Sequence, residues 1–547
     1  MKNVADFLRE NAEFFPHKPA LVSAGTGDRW NSITYQALNQ QVDGYAKGFA
    51  KRGVKRGDRV LFLVKPGFDF YATLFGLFRL GAVPVLVDPG MGLRNVLACI
   101  EQIRPKALVA IPLVQIVRLL RPKAFKSVEI NVTAGMRLFW GGLTLKQCLE
   151  DGSEPFVPEE PFTGEEEGFI AFTSGSTGTP KGVSFLHRMF GHQAKMLGEQ
   201  YGMGPNDSTL ECFAAFVIYD LVLGMTTVLA DMNMSKPATA NPAKIAAALQ
   251  THKVTTAFAS PVVWANLIRH GKDKDIQFPH LKRVLTAGAP IPAWMHEGIA
   301  PMLQDGVELF TPYGATESLP VASLGSREVL EDTWKQTQEG HGTCVGRVFD
   351  GVTVEVVQIS EDPMPVWSDD FRVAPGEIGE IVVDAPIVSP EYKDNPAANA
   401  VSKIQRDGRT LHRMGDLGYF DTQGRLWFCG RKSHAVWTEN GMVPCVPVEG
   451  MINGDTRVAR VALVGVGAKG RQVPVLCVEL EDGVAFTPVI EAELVALTED
   501  SKWSGVIARC LHHPGFPVDA RHNSKIKREV LKGWAQERCG DLIGVLK

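Results

Sequence analysis

Apolar residues in the first 150 positions fall into short runs separated by longer segments. RVLFLV (59–64), VPVLVD (83–88) and ALVAI (107–111) are β-type runs of strand length. FDFYATLFGLFRL (68–80) and GLRNVLACIEQI (92–103), which lie between them, have helix length. Such alternation predicts βαβ units and a largely parallel sheet. It resumes at TTAFAS (255–260), RVLTAG (283–288) and VELFTPYG (307–314), each read as a strand. Residues 151–168 interrupt it with prolines and seven acids, the pattern of a solvated connector.

After about residue 345 the texture turns β-rich. GVTVEVVQI (351–359) and GEIGEIVV (376–383) alternate as half-buried strands do. From residue 432 onward, strands VARVALVGVG (458–467) and QVPVLCVELE (472–481) precede a helix, IKREVLKGWAQERC (526–539). Ile526, Val530, Leu531 and Trp534 fall on one face of that helix. The expected fold is therefore α/β. A large N-terminal domain of packed α/β subdomains with a small β-rich subdomain spans 1–431, and a small α+β C-terminal domain spans 432–547.

The most apolar long stretch, Phe70 to Val87, carries Arg79 and Gly/Pro breaks. It falls short of the roughly 20 apolar residues of a spanning helix and reads as a buried helix followed by a buried strand. The N-terminus, MKNVADFLRENAEFF, holds acids and no long apolar core, so no signal peptide is read.

Composition narrows the function classes. The 547 residues carry 57 Lys+Arg against 61 Asp+Glu, a net charge of −4, which argues against a basic nucleic-acid binder. Apolar content of 45% argues against disorder. The nine cysteines are scattered with no C-x-x-C, which fits a reducing cytoplasm better than a disulfide framework. The 13 histidines include no H-E-x-x-H, and His512-His513 are adjacent, which puts no two ligands on one helix face.

The most informative segment is FIAFTSGSTGTPKGVSF (169–185). A β-type run enters a loop rich in Gly, Ser and Thr that ends at Lys181. Glycines let backbone N–H groups crowd an anion, hydroxyls add donors, and lysine adds a charge, so the composition is that of a polyphosphate cradle. It is not a Walker A loop: counted from Gly175, Pro180 falls where Gly is required and Gly182 where the metal-binding hydroxyl should be.

The string T-S-G-S-T-G-T-P-K-G (173–182) resembles the phosphate-binding loop of the acyl-adenylate-forming superfamily, and further landmarks follow in order. The resemblance implies that Thr173, Ser174, Gly175, Ser176, Thr177, Gly178 and Lys181 hold the nucleotide phosphates. YGATE (313–317) is similar to the family's adenine and metal motif. By that likeness Tyr313 and Gly314 meet the adenine, Thr316 bonds the α-phosphate, and Glu317 holds Mg²⁺, as an aromatic face, a hydroxyl and a carboxylate are suited to do. Gly288, Ala289 and Pro290 of AGAP (287–290) resemble the segment lining the adenine pocket. Asp416 in RMGDLG matches the aspartate that binds the ribose hydroxyls, with Met414 where Thr is usual. Arg431 in CGRKSH matches the arginine at the domain boundary, with Ser433 at a hinge position that is usually Asp or Lys. Lys525 in RHNSKIKR stands where the family carries the catalytic lysine of a mobile C-terminal lid, after Ser524 in place of Gly. Such a lysine would neutralise charge developing at the α-phosphate. FAAFVIYDLVLG (213–224) occupies the stretch beside the acyl pocket, which makes Phe216, Val217 and Tyr219 candidates for lining it.

DPGMG (88–92), RLFWGG (137–142), LGMTTVLADM (223–232), KPA (236–238) and FPVDARHNSKI (516–526) resemble a narrower branch, the β-lactone-forming adenylating enzymes of bacterial long-chain olefin biosynthesis. That resemblance implies ATP and Mg²⁺ as cofactors and a long-chain 2-alkyl-3-hydroxy acid as substrate. It also implies work beside a thiolase-like enzyme, a reductase and a β-lactone decarboxylase. Two other readings stay open: a long-chain acyl-CoA synthetase or acyl-AMP ligase, and a nucleotide-binding partner without turnover. No base for the 3-hydroxyl is assigned; His187, His434 and His522 are the imidazoles nearest the motifs and read as structural.

Overall fold

The computed structural model describes residues 2–27, 29–173, 180–272, 274–518 and 526–539. Its first sheet has seven strands in the order Leu143–Thr144, Ile130–Thr133, Ala107–Ala110, Arg59–Leu63, Val83–Val87, Glu167–Thr173 and Lys181–Leu186. All neighbours are parallel except the last pair. The continuous apolar runs have a simple cause. Val60, Phe62, Ala107 and Val109 point into one core, and Leu61, Leu108 and Ala110 into another on the opposite face. A strand buried on both sides has no polar face to alternate with. Helix Phe68–Leu80 is buried throughout from Phe70, and the one charge in that buried part, Arg79, pairs with buried Asp43 at 3.0 Å.

A second seven-stranded sheet runs Leu309–Phe310, Arg283–Leu285, Thr256–Phe258, Ser208–Glu211, Thr226–Leu229, Pro19–Ala24 and Trp30–Thr34. It too is parallel except at its last pair. One hydrophobic cluster includes residues of both sheets and of the helices between them. The strand expected over 307–314 is in fact two. Leu309–Phe310 closes this sheet, and Tyr313–Ala315 starts the next, with Pro312 in the corner between them. The run 255–260 shortens to Thr256–Phe258, because Ser260 and Pro261 already begin a helix.

The β-rich region is an eight-stranded antiparallel sheet that includes Tyr313–Ala315, Ser318–Ser323, Thr343–Val348, Leu426–Arg431, Arg409–Phe420 and Gly379–Asp384. The last part of the chain is a three-stranded sheet, Val458–Val466, Val473–Leu480 and Arg509–His512, flanked by helices Cys445–Ile452, Pro488–Ala496 and Arg528–Arg538. Its strands alternate between two cores: Leu463, Leu476 and Val478 face one, and Ala462, Val464 and Cys477 the other. The expected terminal helix starts two residues late, at Arg528, and its apolar face is Leu531 and Ala535. Val530 is 58% exposed, a correction to its assignment to the buried face. Connector 151–166 has no helix or strand, yet it is tied down: the Phe156 N–H donates to Asp43 at 2.8 Å, and the Phe162 ring packs on His187. All nine cysteines are buried, and none is in a disulfide.

Candidate active site

The site grows from the carboxyl ends of parallel strands, where open α/β sheets bind ligands. Strand Glu167–Thr173 leads into the Gly/Ser/Thr segment, and strand Lys181–Leu186 returns antiparallel to it, with Thr173 opposite Lys181. Ser174, Gly175, Ser176, Thr177 and Gly178 lie outside the described residues, as does Lys525. The chain on either side of Lys525 is fixed. Val518 pairs with Ile526, and the Lys527 N–H donates to the Pro517 carbonyl at 2.7 Å. Arg528 then grips Glu449 through both carboxylate oxygens, at 2.6 and 2.8 Å.

The adenine-type motifs leave adjacent strands of the second sheet, since Leu285 is the register partner of Phe310. Gly288 follows the first of these with φ +102°, a left-handed conformation that favours glycine. Tyr313–Ala315 and Ser318–Ser323 form a tight hairpin whose turn is Thr316-Glu317. A Cβ on Gly314 would come within 2.8 Å of the Ser318 carbonyl, so this turn needs glycine there.

Two hydrogen-bonded groups result. In one, the Tyr313 hydroxyl donates to Asp416 Oδ2 at 2.6 Å. Asp416 sits opposite Arg431 on neighbouring strands, and Arg431 Nε lies 3.0 Å from Asp416 Oδ1. That contact is an ion pair without hydrogen-bond geometry, so the buried Oδ1 accepts no hydrogen bond. Burial pushes the Asp416 carboxyl up, and Arg431 pulls it back. The Arg431 guanidinium is held protonated by Asp416 first, against burial, with Tyr313, Glu317 and Tyr392 adding to the effect.

In the other group, Glu317 accepts a 2.6 Å hydrogen bond from the Tyr392 hydroxyl, and its carbonyl accepts the Ser389 N–H at 2.8 Å. Lys181 Nζ lies 4.9 Å from the centre of the Tyr392 ring and Lys403 Nζ 5.4 Å from it. Tyr392 reaches this place because residues 391–393 run along the free edge of strand Lys181–Leu186, pairing Val183 with Tyr392. Lys403 is buried and donates to the Ser389 carbonyl at 2.6 Å. Burial pushes its ammonium down to about 7 despite Glu317 and Glu391. Its cross-strand partner His412 is held neutral by burial and by Lys403. Below the site, buried Glu380 binds Arg413 Nη2 at 2.6 Å and Lys432 Nζ at 3.0 Å.

The structure thus brings together Lys181, Tyr313, Thr316, Glu317, Asp416 and Arg431. It adds Tyr392, Lys403 and His412, which no motif marked. Phe216, Val217 and Tyr219 form an aromatic and aliphatic cluster: Phe216 lies 4.4 Å from Phe258 and 5.7 Å from Tyr219 between ring centres, and Val217 is fully buried. Beside them two buried carboxyls went unnoticed in the sequence. Asp220 accepts from Thr209 and Thr227 and is pushed up to about 7 by burial, and burial, with Asp220 beside it, raises Glu211 well above the usual carboxylate range. His187 and His434 are lowered by burial to about 4 and about 3. His522 lies outside the described residues.

Among the described residues no cluster of three or more His, Cys, Asp or Glu could hold a metal. One carboxylate beside one hydroxyl, Glu317 and Thr316, nevertheless suits Mg²⁺, which keeps waters and takes the remaining oxygens from substrate phosphates.

The AMP-binding enzyme family matches residues 8–393, and the chain belongs to that family. The olefin beta-lactone synthetase of Stenotrophomonas maltophilia (strain K279a) is 42% identical over 545 residues, covering 97% of this chain and 98% of its own length. That of Xanthomonas campestris pv. campestris is 41% identical over 514 residues, covering 93% of this chain and 91% of its own. Among solved structures, O-succinylbenzoate Coenzyme A synthetase from Bacillus subtilis, in complex with ATP and magnesium ion, superposes with a TM-score of 0.75. It covers 97% of this chain and 99% of its own at 20% identity, a likeness of fold.

Proposed function

We propose that the protein uses ATP to activate a long-chain 2-alkyl-3-hydroxy acid and then closes it to a β-lactone. The observation that carries this reading is the 42% identity, over nearly the whole of both chains, to a relative named for that product. In the first step the substrate carboxylate attacks the α-phosphorus, and pyrophosphate leaves. In the second, the 3-hydroxyl oxygen attacks the acyl carbon, AMP leaves, and the hydroxyl proton goes to solvent. The nucleophile is tethered to its electrophile, so no second substrate has to bind, and such arrangements reach effective molarities of about 10⁵–10⁸ M in favourable geometry.

The residues divide the work by their chemistry. Lys181 and the segment 173–178 receive the phosphates, Tyr313 and Gly288-Ala289-Pro290 the adenine, and Thr316 the α-phosphate. Asp416 Oδ1, buried and accepting no hydrogen bond, is the oxygen left for a ribose hydroxyl. Glu317, aimed by Tyr392, would hold Mg²⁺. When bound, that ion neutralises phosphate charge. Lys525 meets the charge of the transition state from a C-terminal domain that begins near residue 432. Phe216, Val217 and Tyr219 line the acyl end, where exclusion of water protects the adenylate. Among the described residues no helix is long and apolar enough to cross a membrane. A cytoplasmic enzyme working beside the other enzymes of olefin formation fits this reading.

The test is product analysis with a long-chain 2-alkyl-3-hydroxy acid, ATP and Mg²⁺, with and without CoA. Lactone and AMP form without CoA. A CoA thioester or hydrolysed acid as the only product overturns the reading in favour of an acyl-CoA synthetase or acyl-AMP ligase.

A further inference from the structure

The outer edge of the first sheet carries an apolar surface that no packing explains. Helix Pro112–Leu120 turns Val114 and Val117 inward against the core beneath the sheet. Its buried Gln115 donates to the Val132 carbonyl at 3.2 Å. Leu113, Ile116 and Leu120, spaced i, i+3 and i+7, lie on the opposite side and are exposed, with Leu119 beside them; Leu113 is 66% and Leu120 65% exposed.

The segment 134–142 lies against this helix, because Arg118 donates to the Trp140 carbonyl at 3.0 Å. Trp140 is the inward anchor: it is buried, and its indole N–H donates to Thr133 Oγ1 at 2.9 Å. Its neighbours point out. Met136 is 72% and Phe139 79% exposed, with Leu138 between them. This segment contains the RLFWGG string, to which the adenylation chemistry gives no role. Seven large apolar side chains exposed within one short stretch of chain mark an interaction site, since soluble surfaces rarely expose contiguous apolar patches of this kind.

Charge decides the occupant. Between residues 112 and 149 the chain has Arg118, Arg121, Lys123, Lys126, Arg137 and Lys146 against the single acid Glu129, in a protein whose net charge is −4. Arg121, Lys123 and Lys126, which follow the helix directly, and Arg137, within the loop, are exposed. An apolar face rimmed by cations is what an anionic bilayer takes up: the side chains enter the headgroup and acyl boundary, and the cations meet lipid phosphates. Two anchored elements, a helix and a loop tied to it, present the face already formed, so little ordering is needed on binding.

We propose that this face, built from helix Pro112–Leu120 and residues 134–142, docks the enzyme reversibly on an anionic lipid membrane. The reading of the active site is not needed for this, and its test uses no substrate. The full-length protein is co-sedimented with vesicles of phosphatidylcholine alone and with vesicles in which about a third is phosphatidylglycerol, at low and high salt. Wild type partitions onto the anionic vesicles at least about fivefold better than onto the neutral ones, and salt weakens the binding. The double variant Leu120→Ser/Phe139→Ser loses about tenfold or more in partitioning. The double variant Arg121→Glu/Lys123→Glu loses the preference for anionic lipid. Far-ultraviolet circular dichroism and a urea midpoint equal to those of wild type show that both variants are folded. Equal partitioning onto both vesicle types, or wild-type binding by Leu120→Ser/Phe139→Ser, overturns the proposal. So does self-association that the serine variant abolishes while vesicle binding is absent, because the face is then an interface between copies of the chain.

Discussion

Lys403 offers a measurement with a defined sign. Its Nζ is buried beneath Tyr392, with the Ser389 carbonyl as hydrogen-bond partner. Burial lowers it from the ordinary 10.5 to about 7. The unfolded chain therefore binds a proton that the folded chain lacks between about pH 7 and pH 10.5, and wild-type stability gains from this group as pH rises through that window. Below about pH 7 both states are protonated, and the full penalty of burying an ammonium is present, with a ceiling of about 5 kcal/mol. Lys403→Met removes the penalty. It also removes one hydrogen bond worth about 1 kcal/mol and a cation–ring contact worth about 0.5–2 kcal/mol, so part of the gain is offset. The lost hydrogen bond counts at every pH, whereas the cation–ring contact counts only where Lys403 is charged, below about pH 7, and the penalty follows the same titration. In urea unfolding across a pH series, the stability of Lys403→Met minus that of wild type falls by about 1.4 kcal/mol per pH unit above about pH 7. It levels off below that. A difference that stays flat between about pH 7 and pH 9.5 would show that Lys403 is charged in the folded protein and refute the reasoning.

Tyr392→Phe keeps the ring under Lys181 and Lys403 but removes the donor to Glu317; the loss of a charge-assisted bond worth about 1.5–3 kcal/mol raises the Mg²⁺ requirement of pyrophosphate exchange about tenfold or more. An unchanged Mg²⁺ titration would count against the aiming of Glu317 by Tyr392. Glu380→Gln leaves Arg413 and Lys432 without their shared carboxylate and lowers stability by about 3–5 kcal/mol in denaturant unfolding, far more than any surface pair would. Lys525→Ala lowers pyrophosphate exchange by roughly 10²–10³-fold with folding intact, and a rate equal to wild type would place the catalytic lysine elsewhere.

The parallel sheets were legible because burial on both faces writes itself into the chain as unbroken apolar runs such as 59–64 and 107–111. The division of 307–314 between two sheets was not. A corner at Pro312 leaves the apolar pattern continuous while the partner strands change. The site was legible where a run of residue types is itself the chemistry, as in 173–182 and 313–317. Tyr392 and Lys403 escaped because their role comes from a chance of edge pairing: Val183 and Tyr392 are more than 200 positions apart, and a lone Tyr and a lone Lys in a polar stretch carry no local mark. Glu211 and Asp220 escaped too. A lone acid beside an apolar run carries no sign of its own burial, and only the packing reveals that both are buried.

The anchoring of Arg431 and Lys432 says where the polypeptide can act as an axle. Arg431 is held to Asp416, and Lys432 to Glu380 and to the Ser360 carbonyl at 2.9 Å, so both residues are bolted to the large body. A swing of the C-terminal part that keeps these bolts in place has only the backbone from Ser433 onward as its bearing. It must also part contacts that hold the present position, among them the Lys469–Glu361 pair at 2.8 Å, the Trp503 indole on the Gly340 carbonyl at 2.8 Å and the packing of helix Cys445–Ile452 on residues 334–338 and on strand Leu426–Arg431. If the C-terminal part moves as the proposed lid, the short turn Lys432–His434 would take the torque, with a small polar residue at 433.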